Sequence, residues 1–159
     1  MTVETTPTFD ELAGGYRRWA ASMKDLRAPL AAIGKLHRAE EAVLFDAEGS
    51  GRWRPLTAEY AAQKAQKAPG RPTLVLSGAL RRSLVKGGPT AVLRVGRTGL
   101  VVGTRLQYAQ YQADAGRDPL VDVTSGRFER ASLAVWEREL RRARKKALGS
   151  VSSVVVEAP

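Results

Sequence analysis

Cysteine is absent from the chain's 159 residues. Its absence excludes disulfides, thiolate nucleophiles and Cys-ligated zinc. Histidine occurs once, at His37, so a Ser-His-Asp arrangement would have to use it. No G-x-S-x-G nucleophile elbow accompanies it, and the expectation for His37 is a surface or interface imidazole. Aromatic residues make up only 6% of the chain, so a core must rest on Leu, Val and Ala with a few Trp and Phe. No apolar stretch approaches the roughly 20 residues of a membrane-spanning helix. Residues 1–10 lack the basic region and apolar core of a secretory signal. The expectation is a protein with no cofactor, no metal, no catalytic residue and no membrane partner.

What is present suffices for one compact domain. Apolar residues account for 43% of the chain, and the length fits a single unit. The division expected is a flexible segment over residues 1–8, one domain over 9–148 and an extension over 149–159. Formal net charge is +10, which attracts anions: nucleic acid, anionic lipid or an acidic protein face.

The first helix is announced by Thr8 and Glu11, a capping box. Phe9, Leu12, Tyr16, Trp19, Met23 and Leu26 follow at spacings of three and four, one face of a helix. Pro29 suits the first turn of a second helix, which carries Leu30, Ile33, Leu36, Val43, Leu44 and Ala47 and stops at Gly49-Ser50-Gly51. The short connection between the two predicts an antiparallel pair. Trp53 and Pro55-Leu56 form an extended lead-in to a third helix, capped by Thr57 and running from Ala58 to about Lys67. Residues 68–72 are a loop, and residues 73–76 a short apolar run. Ser77 is expected to cap a short helix through Leu84, with Gly78 at its first position.

Two β-rich runs, residues 91–95 and 100–103, flank Gly96-Arg97-Thr98-Gly99 and read as a hairpin. The glycines lack the strand-to-helix setting and the Lys-Ser/Thr of a phosphate-binding loop. Residues 106–113 read as helical and 116–126 as irregular. A last long helix is expected over 127–147, with Leu133, Trp136, Leu140, Ala143 and Ala147 as its apolar stripe. The fold class expected is α+β, with long N- and C-terminal helices packed on a small antiparallel sheet.

Carboxylates occur as Glu40-Glu41 and as Glu137 and Glu139. Near neighbours on a helix point in different directions, so these read as a solvated face and not as acid/base pairs. The late turns of the last helix carry Arg138, Arg141, Arg142 and Lys145. Three readings of that charge stay open: a nucleic-acid contact, a dock for an acidic neighbouring subunit, or a solvated face. Val154, Val155 and Val156 form a strand-like tail that can add to a neighbour's exposed sheet edge.

An ordered set of short motifs runs through residues 53–128. It comprises Trp53, Pro55 and Leu56, then Tyr60 and Lys64, then Leu74-Val75-Leu76-Ser77-Gly78-Ala79-Leu80 and Ser83. Gly103-Thr104, Tyr108-Ala109, Gln112, Gly116 and Arg127-Phe128 complete it. The set resembles the virion morphogenesis family of tailed phages, the Mu-like neck and tail-completion proteins. That family shows W-x-P-L, Y-x-x-K, L-x-x-S/T-G-x-L-x-x-S, V-G-T, Y-A-x-x-H-Q-x-G and R-P-F in this order. Tyr111 stands where the family often has His, Asp114-Ala115-Gly116 loosens its glycine turn, and residues 118–126 replace its compact Pro-Ala-Arg-Pro-Phe passage. Most of the matched residues read as fold determinants and not as a reactive site.

The resemblance implies a non-enzymatic virion protein at the neck or tail top that takes part in head–tail joining. It would form a closed ring with itself, a hexamer or alternatively a dodecamer. Its implied partners are portal, adaptor, stopper or tail terminator proteins, with packaged DNA close by. The alternative is a basic nucleic-acid-binding protein that uses the last helix.

Overall fold

The computed structural model describes residues 8–149. The expectations for residues 1–7 and for the tail with Val154, Val155 and Val156 fall outside the described residues. Helix α1 spans Phe9–Ser22, α2 Arg27–Asp46, α3 Ala58–Lys67 and α4 Ala79–Arg81. The last passes directly into a π-helical turn, Arg82–Lys86. Strands β1, Ala91–Val95, and β2, Leu100–Thr104, precede α5, Tyr108–Asp114, and α6, Gly126–Leu148. The expected α+β class holds, and no described helix is long and apolar enough to cross a membrane.

Local chemistry explains most boundaries. Thr8 and Glu11 form the reciprocal capping box of α1. Thr57 caps α3 through Tyr60 N–H, and Ser125 caps α6 through Phe128 N–H. Gly49 ends the α2 region with φ +84°, and a Cβ there would stand 2.3 Å from the Trp53 ring. Only glycine fits both the left-handed backbone and that approach. One expected cap differs. Gly78, not Ser77, is the N-cap of α4, in a left-handed conformation. Ser77 still contributes, because its Oγ accepts the Ala79 N–H at 3.3 Å.

The two strands pair antiparallel, Leu93 opposite Val102 and Val95 opposite Leu100, around a turn closed by Gly96 N–H donating to Gly99 O at 2.8 Å. The hairpin is therefore as expected, with β2 one residue longer. Alternation puts Leu93, Val95, Leu100 and Val102 on one face. That face meets α2 at Gly34, whose hypothetical Cβ would lie 3.1 Å from Leu93 Cδ1.

Two packing expectations are corrected. Helix α1 does not run back along α2 as an antiparallel pair; it packs on α6. Gly15 lets Leu148 approach to 2.9 Å of where a Cβ would be, and the Arg18 guanidinium bonds Ala147 O. The sheet's main helical partners are α2 and the π turn, not the terminal helices α1 and α6. Along α6, Leu133 is exposed while Phe128 and Val135 are buried. Helical spacing identifies a stripe, but the partner decides which edge of it is covered.

The core gathers Leu44, Phe45, Trp53, Leu80 and Leu84. Phe45 and Trp53 meet edge to face at 5.4 Å. Beside them the Thr104 hydroxyl joins the sheet to its surroundings. It pairs with Ser83 Oγ at 2.8 Å and accepts Leu106 N–H at 3.2 Å. Thr104→Val keeps the shape and deletes the anchor, leaving a part-buried N–H unpaired. We expect a loss of about 1–3 kcal/mol in urea unfolding; unchanged stability would contradict the anchoring role.

Candidate functional site

The matched motif residues, spread over five segments of sequence, split into two groups in space. One group lines an open cleft of about 280 Å³. Leu56 enters from the lead-in, Tyr60 and Lys64 from α3, and Tyr108 and Gln112 from α5. The strap between α3 and α4 supplies Leu76, Ser77 and Gly78, and α4 supplies Leu80. Leu74, the first Leu of the L-x-x-S/T-G pattern, completes the lining.

The cleft is apolar yet open to solvent. Tyr60 is 41% exposed, Leu76 45% and Tyr108 40%; neighbouring Tyr111 is more exposed still. Exposed large apolar groups gathered in a concavity mark a contact surface. Its wall is held rigidly. Lys64 is buried and donates from Nζ to Pro72 O at 2.8 Å and also to Arg71 O. The Glu48 carboxylate accepts Thr73 N–H at 2.8 Å and Thr73 Oγ1–H at 2.6 Å; these bonds hold its pKa below the usual range. Arg71 in turn bonds Leu76 O. The strap carries Leu74 in a left-handed conformation, φ +62°, a costly backbone for an apolar side chain that persists only where its surroundings impose it.

The second group builds the frame. Trp53 Nε1–H donates to Asp118 O at 2.7 Å, and Arg54 N–H to Gly116 O at 2.9 Å. Gln112 Oε1 accepts from Arg117. Ser83 and Phe128 are buried, Gly103, Thr104 and Ala109 half-buried, Pro55 and Arg127 exposed. Arg127 pairs with Glu40 at 3.2 Å.

The basic positions Arg138, Arg141, Arg142 and Lys145 do share one shallow face of α6 with Glu137. Three of them are paired: Arg141 with Glu137 at 3.2 Å, Arg142 with Glu139 at 2.7 Å and Arg138 with Glu139 at 3.5 Å. Such exposed pairs contribute little stability, but they halve the field this face presents.

His37 and Glu41 overturn their expectations. Neither is on a solvated face. Glu41 is 0% exposed and His37 is buried against the Phe128 ring at 5.8 Å. Glu41 Oε1 accepts Val121 N–H at 2.9 Å, which ties the irregular loop to α2. His37 Nδ1 lies 3.5 Å from Glu41 Oε1. Desolvation opposes charge on both. It pushes Glu41 up to about 7, with the Asp118 carboxylate adding to the rise and Val121 N–H and Arg52 opposing it. It pulls His37 down. Near pH 7 the Glu41 carboxyl is in mid-titration while the imidazole of His37 is neutral, so the contact is not a salt bridge. Adjacent acidic residues suggested solvent; only the packing of α6 and the loop on α2 reveals which of the two carboxylates is covered. Among the described residues no three His, Asp or Glu side chains come together as a metal-binding group.

No protein-family model, curated protein or solved structure matches the chain. The motif set and the cleft that it lines therefore carry the functional argument.

Proposed function

We propose that the chain is a non-enzymatic structural subunit of a tailed-phage virion, assembled into a ring of the neck or tail-completion region and taking part in head–tail joining. One observation carries this reading. Motif pieces far apart in the chain converge on a single exposed apolar cleft whose strap is pinned by the hydrogen bonds of Lys64 and Glu48. Chemistry needs a reacting pair, whereas docking needs a rigid concave surface with apolar anchors. The cleft supplies the second. Its partners are further copies of the chain, closing into a hexamer or dodecamer, and the acidic faces of portal, adaptor, stopper or tail terminator proteins. The test is a phage lacking this polypeptide. We expect separate heads and tails in electron micrographs; intact tailed particles without the polypeptide, or substrate turnover by the purified protein, would refute the reading.

The net charge of +10 and the basic face of α6 favour a second reading, nucleic-acid binding. A protein held by phosphate contacts loses affinity steeply with salt. Pairing of Arg138, Arg141 and Arg142 with Glu137 and Glu139 predicts weak duplex binding with a shallow salt slope; tight, steeply salt-dependent binding would favour the second reading instead.

A further inference from the structure

We infer that the valine-rich segment 151–156 of one copy docks in the Tyr60–Leu76–Tyr108 cleft of the next copy, joining subunits head to tail. The inference rests on the proposed ring only in requiring contacts between copies, and it names the contact.

The argument is one of position and reach. Helix α6 begins beside α2, where Phe128 meets His37 and Arg127 meets Glu40. It ends on α1, at Gly15 and Arg18, and α1 joins α2 at the N-terminal end of α2. The cleft lies past the opposite end of α2, where Leu44 and Phe45 pack on Trp53 and Leu80. The 20 residues of α2 measure roughly 30 Å at 1.5 Å each. Fully extended chain from Gly149 to Val154 covers at most about 18 Å. The segment therefore cannot fill its own cleft, yet it leaves the molecule at one end while the cleft opens at the other. Donor and acceptor at opposite ends make a heterologous contact, the kind that closes into a ring or runs on as a filament.

The chemistry agrees. Val151, Val154, Val155 and Val156 are β-branched and favour extended backbone. At about 280 Å³ the cleft sits at the lower edge of the range for small-molecule sites and suits a few side chains of a strand. From residue 150 onward the sequence carries no Lys or Arg and one acid, Glu157, against a body that holds all of the chain's cations.

Two full-length variants test this. Leu76→Asp spoils the cleft and keeps the tail; Val155→Asp spoils the tail and keeps the cleft. Leu76 is exposed, so the fold survives, as circular dichroism checks. Sedimentation is expected to show assembly by the wild type, monomers for each variant alone, and a one-to-one dimer when the two are mixed. Complementation of this kind requires a head-to-tail contact. Because the chain has no cysteine, Leu76→Cys and Val155→Cys copies give an independent readout: mixed under oxidising conditions they link to each other, and a Leu133→Cys copy in place of Leu76→Cys does not link. A wild type that stays monomeric, either Asp variant assembling normally, or a mixture that remains monomeric overturns the inference. It does so without touching the phage reading, which the particle experiment decides.

Discussion

Glu41→Gln raises stability at pH 8 by about 2–3 kcal/mol and leaves it nearly unchanged at pH 4. The carboxyl is fully covered and its pKa lies at about 7 in the fold against 4.5 in the open chain. Below pH 4.5 both states are protonated and burial carries no electrostatic penalty. Between 4.5 and 7 the unfolded chain has released the proton while the folded chain keeps it, so stability falls as pH rises. Above 7 the folded state holds a buried anion and the full penalty applies. A shift of about 2.5 units corresponds to roughly 3 kcal/mol. Gln is neutral at every pH, and its side-chain oxygen can still accept the Val121 N–H. His37 works in the other direction: its lowered pKa costs stability as pH falls below 6.5. Urea unfolding across pH 4 to 9 reads both. The difference between variant and wild type must open between pH 4.5 and 7; a constant difference would show that Glu41 is not the titrating group.

Trp53→Ala is the largest single loss we expect, about 3–5 kcal/mol. The indole packs edge to face on Phe45, covers the backbone at Gly49 and donates to Asp118 O. Trp53→Phe separates these roles. It keeps a ring against Phe45 and removes the donor, so it should cost about 1–3 kcal/mol and loosen residues 116–118. Hydrogen exchange at Arg54, whose N–H bonds Gly116 O, would rise in the Phe variant more than in the core helices. Equal protection in variant and wild type would mean that the indole N–H does not hold the loop.

Local rules made the elements readable. Thr8 with Glu11, Thr57 before Ala58 and the glycines around Arg97-Thr98 each act within a few residues, and each has its consequence in the fold. Pairing of elements was less readable. The stripe from Leu12 to Met23 says that α1 has a covered face; it does not say that α6 covers it. Glu41 and His37 lie among polar neighbours in sequence, and only the loop bonding through Val121 makes them interior. The π turn over residues 82–86 and the left-handed Leu74 come from packing, since neither Leu nor Ser-Leu-Val demands such backbone. The motif residues were each visible, and their individual roles as cap, anchor or core were plausible one by one. That Leu56, Leu76 and Tyr108 face one another requires the strap to be pinned by Lys64 and Glu48, a tertiary arrangement with no local signature.

Helix α2 touches the hairpin, the π turn and α6, and its last turn enters the core. Tension applied between the far end of α6 and the Tyr60 side of the protein has two routes: through α2 into the core, and through the loop before α6, which Trp53 and Arg54 hold by their bonds to Asp118 O and Gly116 O. The seam between α2 and α6 and the bonds of that loop therefore share the load. A subunit strung between neighbours in this way would behave as a doubly anchored tether.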